Sequence, residues 1–256
     1  PASNLQDQQI VKIWRNSQTT ARIDVDFGQQ RITEFMALIR HNISQTGTIR
    51  WRLSTVADFA TTVYDSGTID AWPIVEEFGT LPWGVFQWGG RLNPEVAAEY
   101  TVSSFDVLAS AVQARYLRID ISDPSNSDGY LQAGRLIAGP AYRPSVNYAN
   151  GVQFEFVDES RVTKSRGGQT FVDEVERYRV MRFELINLPE NEIFGNVFNQ
   201  IDRSRGISKD ILIIPQPADA STWITQNIYG RIRQTQPITN SALDYYGRLI
   251  EVEELI

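Results

Sequence analysis

A period of two runs through most of the stretches where this chain's apolar residues gather. Between Tyr116 and Ser122 the apolar Leu117, Ile119 and Ile121 alternate with Arg118 and Asp120. Ile23, Val25 and Phe27 alternate in the same way with Arg22, Asp24 and Asp26, and Ile49, Trp51 and Leu53 with Arg50 and Arg52. A later stretch sets Val152, Phe154 and Phe156 against Gln153 and Glu155. Successive side chains of a strand point to opposite faces, so each stretch predicts a strand with one apolar face. Helical spacing is convincing only in Pro189–Gly206, where Ile193, Phe194, Val197, Phe198 and Ile201 fall on one face. The expected fold class is mainly β.

Turn chemistry divides the strands. Gly28 is expected to end the first of them, with a second apolar segment over 32–42. Asp-Pro-Ser-Asn-Ser-Asp-Gly at 123–129 reads as a polar loop, after which Tyr130–Ile137 returns as one segment closed by Gly139-Pro140. Residues 55–101 are punctuated by Pro and Gly and read as a long insert of loops carrying Trp72, Trp83 and Trp88. Tyr142-Arg143-Pro144-Ser145 reads as a linker, which gives two domains, 1–145 and 146–256. In the second, Ser165–Gln169 predicts a hairpin turn. The alternation of 177–185 slips near Val180-Met181, as at a bulge or an edge strand. A helix is expected over 189–205, opened by Pro189 with Glu190 and Glu192 in its first turn and capped by Gly206. Residues 211–214, 227–233 and 248–252 complete a β-rich domain with that one helix.

Composition removes several function classes. The net charge of −7 is spread over both halves, so neither offers the basic footprint of a nucleic-acid binder. There is no cysteine for a disulfide, a thiolate metal site or a nucleophile. No apolar run reaches the ~18 residues of a membrane span, and the first residues hold no signal-peptide core. Lys12, Lys164 and Lys209 are the only lysines. The arginine bias suits bidentate pairing at interfaces, and genome base composition produces the same bias.

No catalytic constellation emerges. His41 is the only histidine, sits in an apolar segment and reads as a satisfied strand histidine. The 123–129 loop fails calcium-loop spacing, because Pro124 stands where an acid is required, and reads as an Asp/Asn turn. Glu76-Glu77, or Asp65 with Asp70, are the carboxylate pairs a glycosidase could use, in a chain where acidic loops are common. Gly167-Gly168 lacks the lysine and following helix of a phosphate loop. Trp72, Trp83 and Trp88 could stack on sugar rings, plug the core or anchor a neighbouring subunit. Neither a cofactor, a metal nor an enzymatic activity is expected.

The run Arg115–Ile119, followed by the Asp-Pro loop and Gly134-Arg135-Leu136, resembles the last strands of discoidin-like, galactose-binding jelly rolls, in particular those of phage tail-tip and baseplate proteins. The early order of acidic strand, Phe27-Gly28, apolar strand, His41-Asn42 and Ile49–Arg52 is similar to the first strands of the same sandwiches. The second domain resembles the ring-forming β-domain of distal-tail proteins of long-tailed phages. It matches in the Asp158–Arg161 hairpin, the helix, Ile213-Ile214-Pro215 and the acidic Glu251–Glu254 end. The resemblance implies a non-enzymatic structural protein of the virion tail tip. Its second domain would close into a homo-oligomeric ring by strand edges and by Arg177, Arg179, Arg182, Arg203 and Arg205. The first would brace other tail proteins or bind host-surface glycan through Trp72, Trp83 and Trp88. The competing reading is a stand-alone, lectin-like glycan-binding module.

Overall fold

A computed structural model of the chain describes residues 1–75, 91 and 102–256. The fold is mainly β, as the alternation predicts, and every strand pair is antiparallel. Among the described residues no helix is long and apolar enough to cross a membrane. The chain divides into two compact units, Pro1–Ala141 with Ile214–Asn227, and Tyr142–Ile213 with Ile228–Ile256. Residues 214–227 therefore go with the first unit, an excursion that a single break near 145 does not anticipate.

In the first unit, β1 (Trp14–Asn16) is followed by β2 (Thr20–Ile39), β3 (Thr48–Ser54), β4 (Thr62–Asp65) and β5 (Ile69–Asp70). After them come β6 (Ser103–Ser122), β7 (Leu131–Ala133) and β8 (Arg135–Gly139). The main sheet runs β4-β3-β6-β2-β8, with β5 on β3, and β1 pairs with β7 separately. Gly28 does not end a strand, contrary to the sequence reading. It lies inside β2 at φ 78°, its N–H donating to Asp26 Oδ1 at 2.8 Å, where the register with β6 shifts between Asp26 and Arg31. Glycine alone takes this backbone without strain, so the strand bends and continues. The expected segments 21–27 and 32–42 are thus largely two halves of one strand, and 105–111 is the first half of β6. Buried Ile23, Leu117 and Ile119 from one side of the bend share a core with Met36, Leu38 and Leu108 from the other, around fully buried Trp51. Both halves face one core, which makes the unit a β-sandwich whose long strands serve both layers.

The returning segment 130–137 is divided at Gly134, where a Cβ would meet Ile10 Cγ2 at 2.5 Å. The break sends β7 to β1 and β8 to β2.

The second unit contains β9 (Gln153–Val157), β10 (Arg161–Lys164), β11 (Thr170–Asp173), β12 (Tyr178–Pro189) and β13 (Asp210–Ile213). It is completed by β14 (Ile228–Ile232), β15 (Thr239–Ala242) and β16 (Tyr245–Glu254). Its sheet runs β13-β14-β16-β12-β9, with β15 on β16. β12 is neither an edge strand nor bulged at Val180-Met181. It lies between β16 and β9, both of those residues are buried, and its register shift falls between Leu185 and Leu188. The apparent slip in alternation reflects burial on both faces.

The expected helix is present as a turn, Glu190–Glu192, that widens into a π-wound segment, Ile193–Arg203 (together α1). Four-residue spacing stays nearly in line under this winding, so Ile193 and Val197 are buried while Phe194 and Phe198 are left partly exposed. Glu192 accepts from the Tyr142 hydroxyl and the Ser145 N–H, each at 2.9 Å, which fastens the linker to the helix. A second short helix, α2 (Trp223–Gln226), follows a 3-10 turn at Ala220–Thr222 and was not foreseen.

Candidate functional site

Buried apolar surface fills both units, so the informative feature is apolar surface left uncovered. Among the described residues β9 ends its sheet and pairs only with β12. In register, Phe156 stands opposite Arg179 and Phe154 opposite Met181, which places both phenylalanines on the core face of the sheet. The alternation reads them as an apolar face correctly, but among the described residues nothing lies over its end: Phe156 is 63 % exposed. The hairpin that follows is more open still. β10 and β11 form a two-stranded sheet of their own, turned at Gly168 (φ 83°), and every residue of both strands is exposed. Val162 stands opposite Val172, itself 62 % exposed, and Phe171 at 54 % points to the other face. An isolated hairpin is marginal in water, and an edge strand with an apolar flank is a template for pairing.

The arginines suggested for an interface behave differently. Arg177 donates to Asp158 at 3.0 Å, Arg182 to Glu155 and Glu251 at 2.9 and 3.2 Å, and Arg205 to the Asp210 carbonyl at 2.8 Å. Arg203 is exposed, and Arg179 is buried against Glu254. The structure therefore gives Arg177, Arg182 and Arg205 partners within their own unit and withdraws Arg179 from the surface. Phe154, Phe156, Val162, Phe171 and Val172 were missed as surface residues, because alternation marks a face as apolar without saying what covers it.

In the first unit, Trp72 is half-buried against the core and its Nε1 donates to the Ile43 carbonyl at 2.7 Å. Trp83, Trp88 and Glu76-Glu77 lie outside the described residues. Asp65 receives both nitrogens of the Arg50 fork, at 2.8 and 2.5 Å, which holds its carboxyl down at about 2. Such a group is ionised at neutral pH and unsuited to act as an acid. Asp123 is buried and accepts from the Ser44 N–H, the Ser44 hydroxyl and the Asn126 amide, so its oxygens are engaged by protein donors.

His41 lies just beyond β2, buried, with Nδ1 accepting from the Ile43 N–H at 3.3 Å and Nε2 2.7 Å from Ser104 Oγ. Ser104 donates its one proton to the Ala71 carbonyl, so Nε2 carries the hydrogen and donates to the serine. A base that activated the serine would need the opposite polarity. Burial pushes the imidazole down to about 4 from its ordinary 6.5, against the pull of the Asp123 charge. The unfolded chain takes up the proton first, so stability is complete above about pH 6.5 and falls as pH drops toward about 4. Urea unfolding followed by tryptophan fluorescence should show the wild type losing about 2 kcal/mol by about pH 5. His41→Gln should lack that loss between about pH 6.5 and 4; an unchanged pH slope in this variant would count against the assignment.

No protein-family profile matches the chain, and no curated protein does. Among solved structures it is similar to the carbohydrate-binding domain CBM32-1 of a family 31 glycoside hydrolase from Clostridium perfringens, at 12 % identity and a TM-score of 0.34, over 55 % of this chain and 84 % of that one. It is also similar to truncated AlyQ, with CBM32 and alginate lyase domains, at 16 % identity and a TM-score of 0.33. That match covers 73 % of this chain and 44 % of that one, less than half of its length. Likeness at this level says nothing about ligand or activity.

Proposed function

We propose that this chain is a structural component of a phage tail tip or baseplate whose second unit joins copies of itself into a closed ring. The observation that carries the reading is the uncovered apolar surface of β9 and the β10–β11 hairpin. The hairpin and the β9 edge are different surfaces of the same unit, each without a partner among the described residues. Seating the hairpin of one copy on the edge of the next satisfies both, and a head-to-tail contact of that kind gives a ring when its rotation closes. The mechanism is assembly, and the resemblance of both halves to tail proteins supplies the setting. Other tail proteins are the further partners in that setting, and the first unit is the module the ring displays, with host-surface glycan as its candidate ligand.

Light scattering on the purified full chain tests this. A discrete oligomer is expected, reduced to monomer by Phe156→Asp or Phe171→Asp. Both positions are exposed, so each change should alter stability by no more than about 0.5 kcal/mol. A wild type that stays monomeric at high concentration overturns the ring, and an oligomer indifferent to both substitutions overturns the surface assigned to it.

A further inference from the structure

Asn150 and Gly151 stand at the entry to β9, and both are exposed. They form the one Asn-Gly pair of the chain, and Asp128-Gly129 is its one Asp-Gly pair. A glycine in second place leaves no Cβ to shield its amide nitrogen from the side-chain carbonyl of the residue before it. The fold decides whether that nitrogen is free to react. Gly129 N–H donates to the Asn126 carbonyl at 3.2 Å. Asp128 is held as well, its N–H donating to Asn126 Oδ1 at 2.9 Å and its Oδ2 accepting from the Asn42 amide at 2.8 Å. Among the described residues, by contrast, neither the Asn150 side chain nor the Gly151 N–H has a hydrogen-bond partner. Gly151 lies at φ 105°, a backbone that glycine takes without strain. A Cβ built there would meet no heavy atom of the described residues within 4 Å beyond its chain neighbours.

We propose that Asn150 is a site of spontaneous deamidation. The Gly151 amide loses its proton to hydroxide, and its nitrogen attacks Asn150 Cγ. A new C–N bond closes a succinimide ring, and the side-chain nitrogen leaves as ammonia. Water then opens the ring. Addition at Cγ gives aspartate, and addition at the backbone carbonyl gives isoaspartate, whose main chain runs through Cβ and Cγ. In sum one water is consumed and one ammonia released, with nothing oxidised or reduced. Either product adds a negative charge to a chain that already carries −7. Isoaspartate also lengthens the main chain by one carbon, between two attachments to β12. On one side Ala149 N–H donates to the Glu184 carbonyl at 2.8 Å, and on the other Gln153 stands opposite Arg182. Val152, between them, packs against the core of the second unit. The extra carbon cannot be absorbed with all three in place, so the first pairs of β9 loosen. The inference does not depend on ring assembly.

Ageing the purified full chain in warm, mildly alkaline buffer tests the site, read by peptide mapping with mass spectrometry and by isoaspartyl methyltransferase labelling. The peptide holding Asn150 should gain the mass of an amide-to-acid exchange and become the main methyl acceptor. Its rate should lie within about threefold of the rate in urea, because an exposed, unbonded pair has nothing to open first. Asp128-Gly129 should convert at least about tenfold more slowly in the folded chain than in urea, since its hydrogen bonds must open. Asn150→Gln should abolish the labelling. Amides of β9 should exchange hydrogen about tenfold faster in the aged wild type than in fresh protein or in aged Asn150→Gln. An Asn150 peptide that stays unchanged while the urea-unfolded chain converts overturns the site, as does labelling that survives Asn150→Gln. Exchange in β9 that is unaltered by conversion overturns the effect on the strand.

Discussion

Glu254→Ala should destabilise the second unit by about 3–5 kcal/mol. Arg179 on β12 and Glu254 on β16 are 6 % and 8 % exposed and pair with each other. The Arg179 Nε and its own N–H donate to Glu254 Oε2 at 2.9 and 3.0 Å, and a terminal guanidinium nitrogen reaches Oε1 at 2.5 Å. Removing the carboxylate takes the buried counter-charge from a guanidinium that always keeps its charge, and the acceptor from a backbone donor. The pair itself need not be a net stabiliser, because desolvating both ions offsets most of their attraction. Replacing both by apolar residues of similar volume, as in Arg179→Met with Glu254→Leu, should therefore recover most of the loss. The second unit contains no tryptophan, so far-UV circular dichroism in urea reads the effect while tryptophan emission reports the first unit. If the double variant is as unstable as Glu254→Ala, the burial argument fails. Because Arg179 stands opposite Phe156, Glu254→Ala should also loosen the edge on which assembly is proposed to rest.

Much of this fold could be read from the chain, and the unread part has a common cause. Alternation is a local property and found the strands that carry it: β3, β9 and the halves of β2 and β6. It could not show that Gly28 joins the two apolar segments, since a glycine at positive φ serves equally to end a strand or to bend one. Nor could it show that Phe154 and Phe156 are uncovered, because sidedness says which face is apolar and not what lies over it. The arginines illustrate the same limit. Arg22 and Arg52 converge on Asp120, Arg118 meets Asp24, and Arg231 and Arg233 meet Glu253 and Glu251. Apart from Arg233, just beyond the end of β14, these partners lie on different strands, and only the register brings them together. A composition rich in arginine therefore reflected cross-strand pairing within each unit as much as any interface.

The loop after β6 was read as an ordinary Asp/Asn turn, and Asp123 shows why a turn can still matter greatly. Its Oδ2 accepts from the Ser44 N–H at 2.6 Å and the Asn126 amide at 3.0 Å, and its Oδ1 from the Ser44 hydroxyl at 2.6 Å. It thereby ties the connection between β2 and β3 to the loop that leaves β6. Gly47 packs directly on it, with a Cβ there meeting the Asp123 Cγ at 3.0 Å. Asp123→Ala should cost the first unit about 3–4 kcal/mol, because several donors lose a charged acceptor at once and a void opens behind Gly47. Asp123→Asn keeps the shape but turns an amide N–H toward one of those donors, so about half the loss is expected. Both are measured by urea unfolding with tryptophan fluorescence, for which fully buried Trp51 is the internal reporter. Asp123 also supplies the charge that holds the His41 imidazole up against its burial. In Asp123→Asn the histidine should titrate lower still, and NMR of its ring protons can follow this. A variant that loses neither stability nor this influence on His41 would show the loop to be a solvated turn, with the two connections held together by other contacts.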